Sequence, residues 1–455
     1  MDMTNASSAL AQTPYLDPSI ERDSSSAIDR PKRRKTDVSV GDTPPPPPPP
    51  PRLLDYEPII GQAVLDELHY LAEALQGKSV KMVNSTAMGG GVAEMLNSLV
   101  PLVVELGINT HWDVITGGND FFEITKAFHN ALHGGDYHLT RKTQEVFLQY
   151  NEQNRRRMQF NEDVVVIHDP QPAAIISERD SVGAKWVWRC HIDLSNPNPD
   201  VWAFLKPMVE RFDAAIFSSQ SFAQRLSIPQ YLFYPCIDAL SEKNKELDES
   251  YVQQICEEYG IDRSRPVVTQ ISRFDRLKDP LGVVKAYQMA KKYVDLQLVL
   301  AGGSASDDPE GTQVLAEVQD AAANDPDIII LNLPPWSGLQ INALQRASTI
   351  VVQKSLREGF GLTVTEALWK SKPTIASAVG GIPNQVIHKL TGALVHSIEG
   401  CAYQIRYLLT HPDYARQLGK NGHEHVKENF LMTTNVKRWL LLLRFLLESK
   451  EKAGT

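Results

Sequence analysis

Cysteine is scarce in this chain of 455 residues, and the four present, Cys190, Cys236, Cys256 and Cys401, are scattered without a CxxC pair. That spacing argues against a disulfide framework or a thiolate zinc site and predicts reduced thiols. No apolar stretch is long enough to span a bilayer, and the leucine-rich run near the C-terminus is interrupted by Arg444. Residues 1–13 show no basic segment followed by an apolar one, so no secretory signal is read. A surplus of positive charge is also missing. The formal net charge of -9 gives the body of the chain no electrostatic footprint for nucleic acid. These absences predict a soluble, cytoplasmic protein with no nucleic-acid and no membrane partner.

Several chemical signatures are missing too. "STAMGGGVAEM" places Gly89, Gly90 and Gly91 between a strand and a helix, where glycine permits close backbone approach and helix amides attract phosphate or sugar oxygens. It has neither the G-x-G-x-x-G spacing nor a G-K-[ST] ending, so a dinucleotide dehydrogenase or a P-loop NTPase is not supported. His129 and His133 in "KAFHNALHGG" have i, i+4 helical spacing, but no HExxH surrounds them and no metal site is assigned.

What is present divides the chain. Residues 1–55 are rich in Ser, Thr, Asp and Pro, and the proline run at 44–51 favours an extended polyproline II conformation. We read 1–55 as a disordered tail, its proline tract a stiff spacer or a ligand for a proline-recognising module. The basic cluster "RPKRRKTD" reads as a solvated charge run, with a nuclear-import signal as the alternative. From Tyr56 onward the pattern becomes that of a folded α/β protein. Leu65, Leu68, Leu71 and Leu75 mark one helical face, and Val92, Met95, Leu96, Leu99, Leu102, Val103 and Leu106 mark another.

Between helices, short runs such as "SVKMVN", "DVVVIHD", "KWVWRCH" and "AAIFSS" are apolar along their length, the signature of parallel strands covered on both faces. The alternation pauses near 238–248 and resumes at "PVVTQIS". The expected domains are 56–243 and 244–430, followed by a terminal helix at 431–455. Two doubly wound, Rossmann-like domains facing a cleft fit this order, with ligands outside the strand carboxyl ends.

Four groups of polar residues fall at such ends. "QISRFDRLKDP" presents Arg273 and Lys278, a guanidinium and an ammonium suited to a diphosphate. "EGFGLTVTE" places Glu358 and Glu366 around Gly359, Phe360, Gly361, Leu362 and Thr363, and carboxylates accept hydrogen bonds from vicinal sugar hydroxyls. A structural pair of salt-bridged glutamates is the alternative from that motif alone. "VIHDPQPAA" contributes His168 and Asp169, and "WRCHIDLSNPNPD" contributes Arg189, His191 and Asp193.

"SRFDRLKDP" and "EGFGLTVTE" resemble the Arg/Lys pair and the E-x7-E motif of retaining glycosyltransferases of the GT-B fold, family four. With "NSTAMGGGVAEML", "FFEITKAFHNALHG", "HDPQPAA", "WRCHIDLSNPNP" and "DDPEG", the chain from about Val80 to about Glu428 resembles the trehalose glycosyltransferring synthases. These join a nucleoside-diphosphate glucose to free glucose with retention of the α configuration. The resemblance implies that Arg273 and Lys278 bind the donor diphosphate. It likewise implies that Glu358, with the backbone of 359–362, holds the donor glucose, and that Glu366 takes the ribose. Gly90 and Gly91 would lie across the cleft, His168 beside the transferred glucose, and Arg189, His191 and Asp193 on the acceptor side. No tightly bound cofactor is implied, with magnesium assisting at most without fixed ligands, and a homodimer is considered. The rival readings are a retaining trehalose phosphorylase using α-glucose 1-phosphate and a non-catalytic sugar-nucleotide sensor.

Overall fold

The computed structural model describes residues 49–87, 91–303, 309–323 and 325–451. The basic cluster of the tail, Gly89 and Gly90 lie outside the described residues. Two six-stranded sheets organise the chain. The first consists of β1 (Ser79–Asn84), β2 (Asn109–Val114), β3 (Val164–His168), β4 (Lys185–Arg189), β5 (Ala214–Phe217) and β6 (Gln230–Leu232). The second consists of β7 (Val267–Ile271), β8 (Gln297–Gly302), β9 (Ile328–Asn332), β10 (Ile350–Gln353), β11 (Thr374–Ser377) and β12 (Ala393–Val395).

The orders are β2-β1-β3-β4-β5-β6 and β12-β11-β10-β7-β8-β9, and the paired strands are parallel throughout. β3 and β7 are buried at every position, which is why their sequences are apolar without alternation. Helices cover both faces of each sheet. On one face of the first, Leu96, Leu99 and Val103 pack with Leu65, Leu68 and Val166, while Phe128, Phe147, Trp186 and Trp188 fill the other.

Each sheet reverses its direction of growth once. In the second, β7, β8 and β9 run outward, and the chain then returns to place β10 on the other side of β7. In the first, the reversal falls between β1 and β3. At such points the loops leaving adjacent strands diverge and open a crevice at their carboxyl ends. Arg273 and Lys278 follow β7, Glu358 follows β10, and His168 closes β3.

The terminal helix Met432–Glu451 returns to the first sheet. Val436, Trp439, Leu440 and Leu443 are buried among the helices Gln62–Glu73 and Gly91–Glu105. Burial of each large side chain contributes about 1.5–3 kcal/mol, so the leucine run belongs to a protein core. No described helix is long and apolar enough to cross a membrane. The four cysteines are buried free thiols.

Candidate active site

The second sheet supplies a charged wall. After β7, the Asp275 carboxylate accepts the Leu277 amide at 2.7 Å and caps the short turn Arg276–Lys278. After β10, the Leu356 amide donates to the Leu277 carbonyl at 2.7 Å, which stitches the two loops together. Lys278 Nζ then meets both carboxylate oxygens of Glu358, at 2.9 and 2.7 Å, and Ser355 Oγ donates to Glu358 at 3.1 Å. The Glu358 side chain is only 9% exposed. Arg273 projects further into solvent and bonds Asp275 at 2.8 Å.

Two glycines make this loop possible. Gly361, at φ 84°, adopts a left-handed conformation as it opens the helix Leu362–Trp369. Gly380, at φ 55°, passes so close below that a Cβ would sit 1.6 Å from the Glu358 carbonyl oxygen. Gly381 donates its amide to the Gly359 carbonyl at 3.0 Å. The Phe360 ring is buried against Tyr234 and Phe430, so this residue offers the crevice its backbone rather than its side chain.

Glu366 lies deeper, on the helix. Its carboxyl is buried and has one long contact, 3.5 Å from Gln345 Nε2, while Gln345 Oε1 has no partner among the described residues. Burial raises the Glu366 carboxyl above its ordinary range, and Glu94 adds to this, against Lys243 and Lys370. Lys243 itself bonds Glu94 at 2.7 Å. Thr363 is half-buried and turns its carbonyl toward Gln345 at 3.5 Å.

The first sheet supplies a buried, mostly neutral wall. His168 Nδ1 and His191 Nε2 are 3.0 Å apart, the rings nearly parallel. Asp169, at φ 63°, accepts the His191 amide at 2.7 Å. Burial, with Arg189 nearby, lowers His168 to about 3 and holds His191 well below the usual imidazole range. Burial also pushes Asp169 up to about 7, against the His191 amide and Arg189. His168 Nε2 is buried with no partner among the described residues.

Arg189, expected on the acceptor side, is placed beneath the site instead. It is 2% exposed, and its guanidinium donates to the carbonyls of Phe233 at 2.7 Å and Cys190 at 3.2 Å. Both of its terminal nitrogens bond main chain, which makes it a prop for the end of β4. Asp193 is half-buried, and its carboxylate accepts the Ser195 amide at 2.8 Å in a local turn.

The two walls meet. A Cβ added at Gly359 would lie 3.5 Å from the His191 carbonyl, and one at Gly91 would lie 3.2 Å from Leu362 Cδ1. The Arg357 guanidinium donates to the His133 carbonyl, and Asn384 Nδ2 donates to Ser219 Oγ at 3.1 Å. The structure therefore sets the Lys278–Glu358 pair and Gly359 next to His191 and its partner His168, with Gly91 beside Leu362 and Glu366 buried further along that helix. Sequence reasoning missed Gly380, Gly381, Gln345 and Lys243. The first two follow β11 in "SAVGGIP", a glycine pair at a strand carboxyl end, which was a readable signal. A separate cavity of about 570 Å³ lies at the opposite strand ends, beside Pro266, Thr349 and Pro373, and holds none of these residues. Among the described residues no cluster of three His, Cys, Asp or Glu is arranged to hold a metal ion.

Comparison with known proteins finds relatives over both halves of the chain. Residues 82–224 match the family "Trehalose synthase, N-terminal domain", and residues 252–425 match "Glycosyl transferases group 1". The trehalose synthase of Thermococcus litoralis is 44% identical over 398 residues, covering 86% of this chain and 96% of that protein. A trehalose phosphorylase of Pleurotus pulmonarius is 28% identical, covering 86% of this chain and 60% of that protein. The solved sucrose-phosphate synthase of Thermosynechococcus elongatus shares the fold, with a TM-score of 0.63 at 19% identity, covering 82% of this chain and all of that one.

Proposed function

The chain belongs to the trehalose synthase family of GT-B glycosyltransferases, and from that premise we propose that it forms α,α-trehalose from a nucleoside-diphosphate glucose and free glucose. The observation that carries the reading is the Lys278–Glu358 pair at the reversal point of the second sheet. Lys278 and Arg273 meet the donor diphosphate and stabilise the negative charge that grows as its bond to the anomeric carbon breaks. Glu358, fixed by Lys278 and Ser355, accepts hydrogen bonds from the donor glucose hydroxyls. The free backbone at Gly359 and Gly361 lets that sugar approach closely. Glu366, short of donors in its buried setting, takes the vicinal hydroxyls of the ribose.

In the reaction, the anomeric carbon loses its bond to the diphosphate oxygen and gains one to an acceptor hydroxyl on the same face. The departing diphosphate receives the acceptor's proton. No side-chain nucleophile is needed. The unpartnered Nε2 of the neutral His168 suits a sugar hydroxyl, which can donate or accept. Contact between the lobes restricts water, which would otherwise hydrolyse the donor. The two cationic side chains meet the diphosphate charge that a fixed metal would otherwise meet.

The test is to incubate the protein with glucose and, separately, UDP-, ADP- or GDP-glucose or α-glucose 1-phosphate, and to assay trehalose. Trehalose from at least one nucleotide sugar is expected, and none from any of them would overturn the reading. Product from glucose 1-phosphate alone would select the phosphorylase reading, which the weaker likeness to the Pleurotus protein keeps in view.

A further inference from the structure

One motif is not absorbed by this account. The helix Asn119–Leu132 and its cap place His129 and His133 one turn apart, their rings 4.8 Å apart at 57°. Both are half-buried, and no ring nitrogen of either is hydrogen-bonded to a described side chain or carbonyl. A helical histidine pair usually packs or caps; these do neither with their nitrogens.

Their position is fixed from the other lobe. Arg357 donates across to the His133 carbonyl, and its own backbone is tied to the Arg276–Lys278 turn through the Leu356 amide, 2.7 Å from the Leu277 carbonyl. The next residue, Glu358, bonds Lys278. A short covalent and hydrogen-bonded path thus leads from the histidine pair to the donor-phosphate pair. His129 lies in the field of Arg273, and His133 in the fields of Lys278 and Arg357.

We infer that His129 and His133 form part of the acceptor subsite and hold hydroxyls of the free glucose opposite the donor. This rests on the function proposed above. A neutral imidazole offers one donor and one acceptor, which complements a hydroxyl; a phosphate oxygen can use only the donor. The phosphate donors are already present in Arg273 and Lys278 on the facing wall. Burial and the neighbouring cations lower each imidazole to about 4, so both are neutral at ordinary pH.

The test compares His129→Ala, His133→Ala and the conservative His129→Asn and His133→Asn with the unaltered protein, after circular dichroism shows each folded. The alanine variants are expected to raise KM for glucose about tenfold each, the scale of one lost ligand hydrogen bond. KM for the sugar nucleotide and donor hydrolysis without glucose should stay within about twofold, and asparagine should recover part of the loss. A raised donor KM with unchanged glucose KM, or a fall in kcat alone, would overturn the inference. Should the unaltered protein make no trehalose from any nucleotide glucose, the functional reading itself fails. Radiolabelled glucose titrated onto the protein loaded with UDP, ADP or GDP then decides the subsite: binding lost in the alanine variants supports it, and binding retained in them, or absent from the unaltered protein, overturns it.

Discussion

The carboxyl ends of the two sheets handle charge in opposite ways. Beyond β7 and β10 the groups are ionic: Arg273 reaches into solvent, and Lys278 and Glu358 form a direct, largely buried pair. At the ends of β3 and β4, His168 and Asp169 are buried, and burial drives both toward neutrality, His168 to about 3 and Asp169 up to about 7. Even Arg189, the cation of that wall, has its guanidinium turned to main-chain carbonyls. The difference matches what each wall would meet. A diphosphate calls for exposed cations, whereas a sugar calls for neutral groups that donate and accept, and a charge left unpaired there would be costly.

The sharpest way to break the comparison is to remove the charge from one wall. Arg273→Ala and Glu358→Gln should each lower kcat/KM by about 10²–10³, the scale of losing one group that meets developing transition-state charge or fixes the reacting sugar. Neither change should alter the circular dichroism spectrum. Near-normal turnover in both would mean that the donor wall has been misplaced.

Next in size is the cost of leaving Glu358 without its cation. Lys278→Ala strands a nearly buried carboxylate, and breaking such a pair costs about 3 kcal/mol or more. The double variant Lys278→Ala with Glu358→Gln should recover much of that stability while remaining inactive, because a neutral amide needs no counter-charge. Urea unfolding of the three proteins measures this. Equal midpoints for single and double variants would show that the pair is not coupled.

The sequence made the strands legible because parallel strands are apolar at every position, and it made the loops at their carboxyl ends legible as polar punctuation. It could not show which loops become neighbours. Lys278 and Glu358 are 80 residues apart and meet only because the chain returns across β7 after building β8 and β9. The fate of Arg189 was hidden for a related reason. Its strand register sets it against His168, inside the sheet end, and the carbonyl it satisfies belongs to Phe233, beyond β6. Gln345 and Lys243 come from a helix and a connection with no local motif, so only the folded chain associates them with Glu366. The terminal helix reads as amphipathic from its leucines, but its partners in the first lobe are set by tertiary packing alone.

The neutral wall makes the smallest prediction and the one most specific to it. An unfolded imidazole titrates near 6.5, whereas His168 does so only at about 3, and His129 and His133 at about 4. Between those values the unfolded chain binds more protons, so the stability that neutral histidines contribute is complete above about pH 6.5 and is lost as pH falls toward the folded values. Asp169 acts the other way. Its folded pKa of about 7 exceeds its unfolded one, so acidification from pH 7 toward 4 favours the folded form at that group, and Glu366 shifts in the same direction. His129, His133, His168 and His191 outnumber these two carboxyls, and a fall in Tm is expected between pH 6.5 and 4.5. Each uncompensated histidine contributes a slope of about 1.4 kcal/mol per pH unit. His168→Asn removes one such group and should flatten the curve by about that slope, whatever it does to stability at pH 7. An unchanged slope would mean that His168 is not held neutral, and the contrast between the walls would lose its central residue.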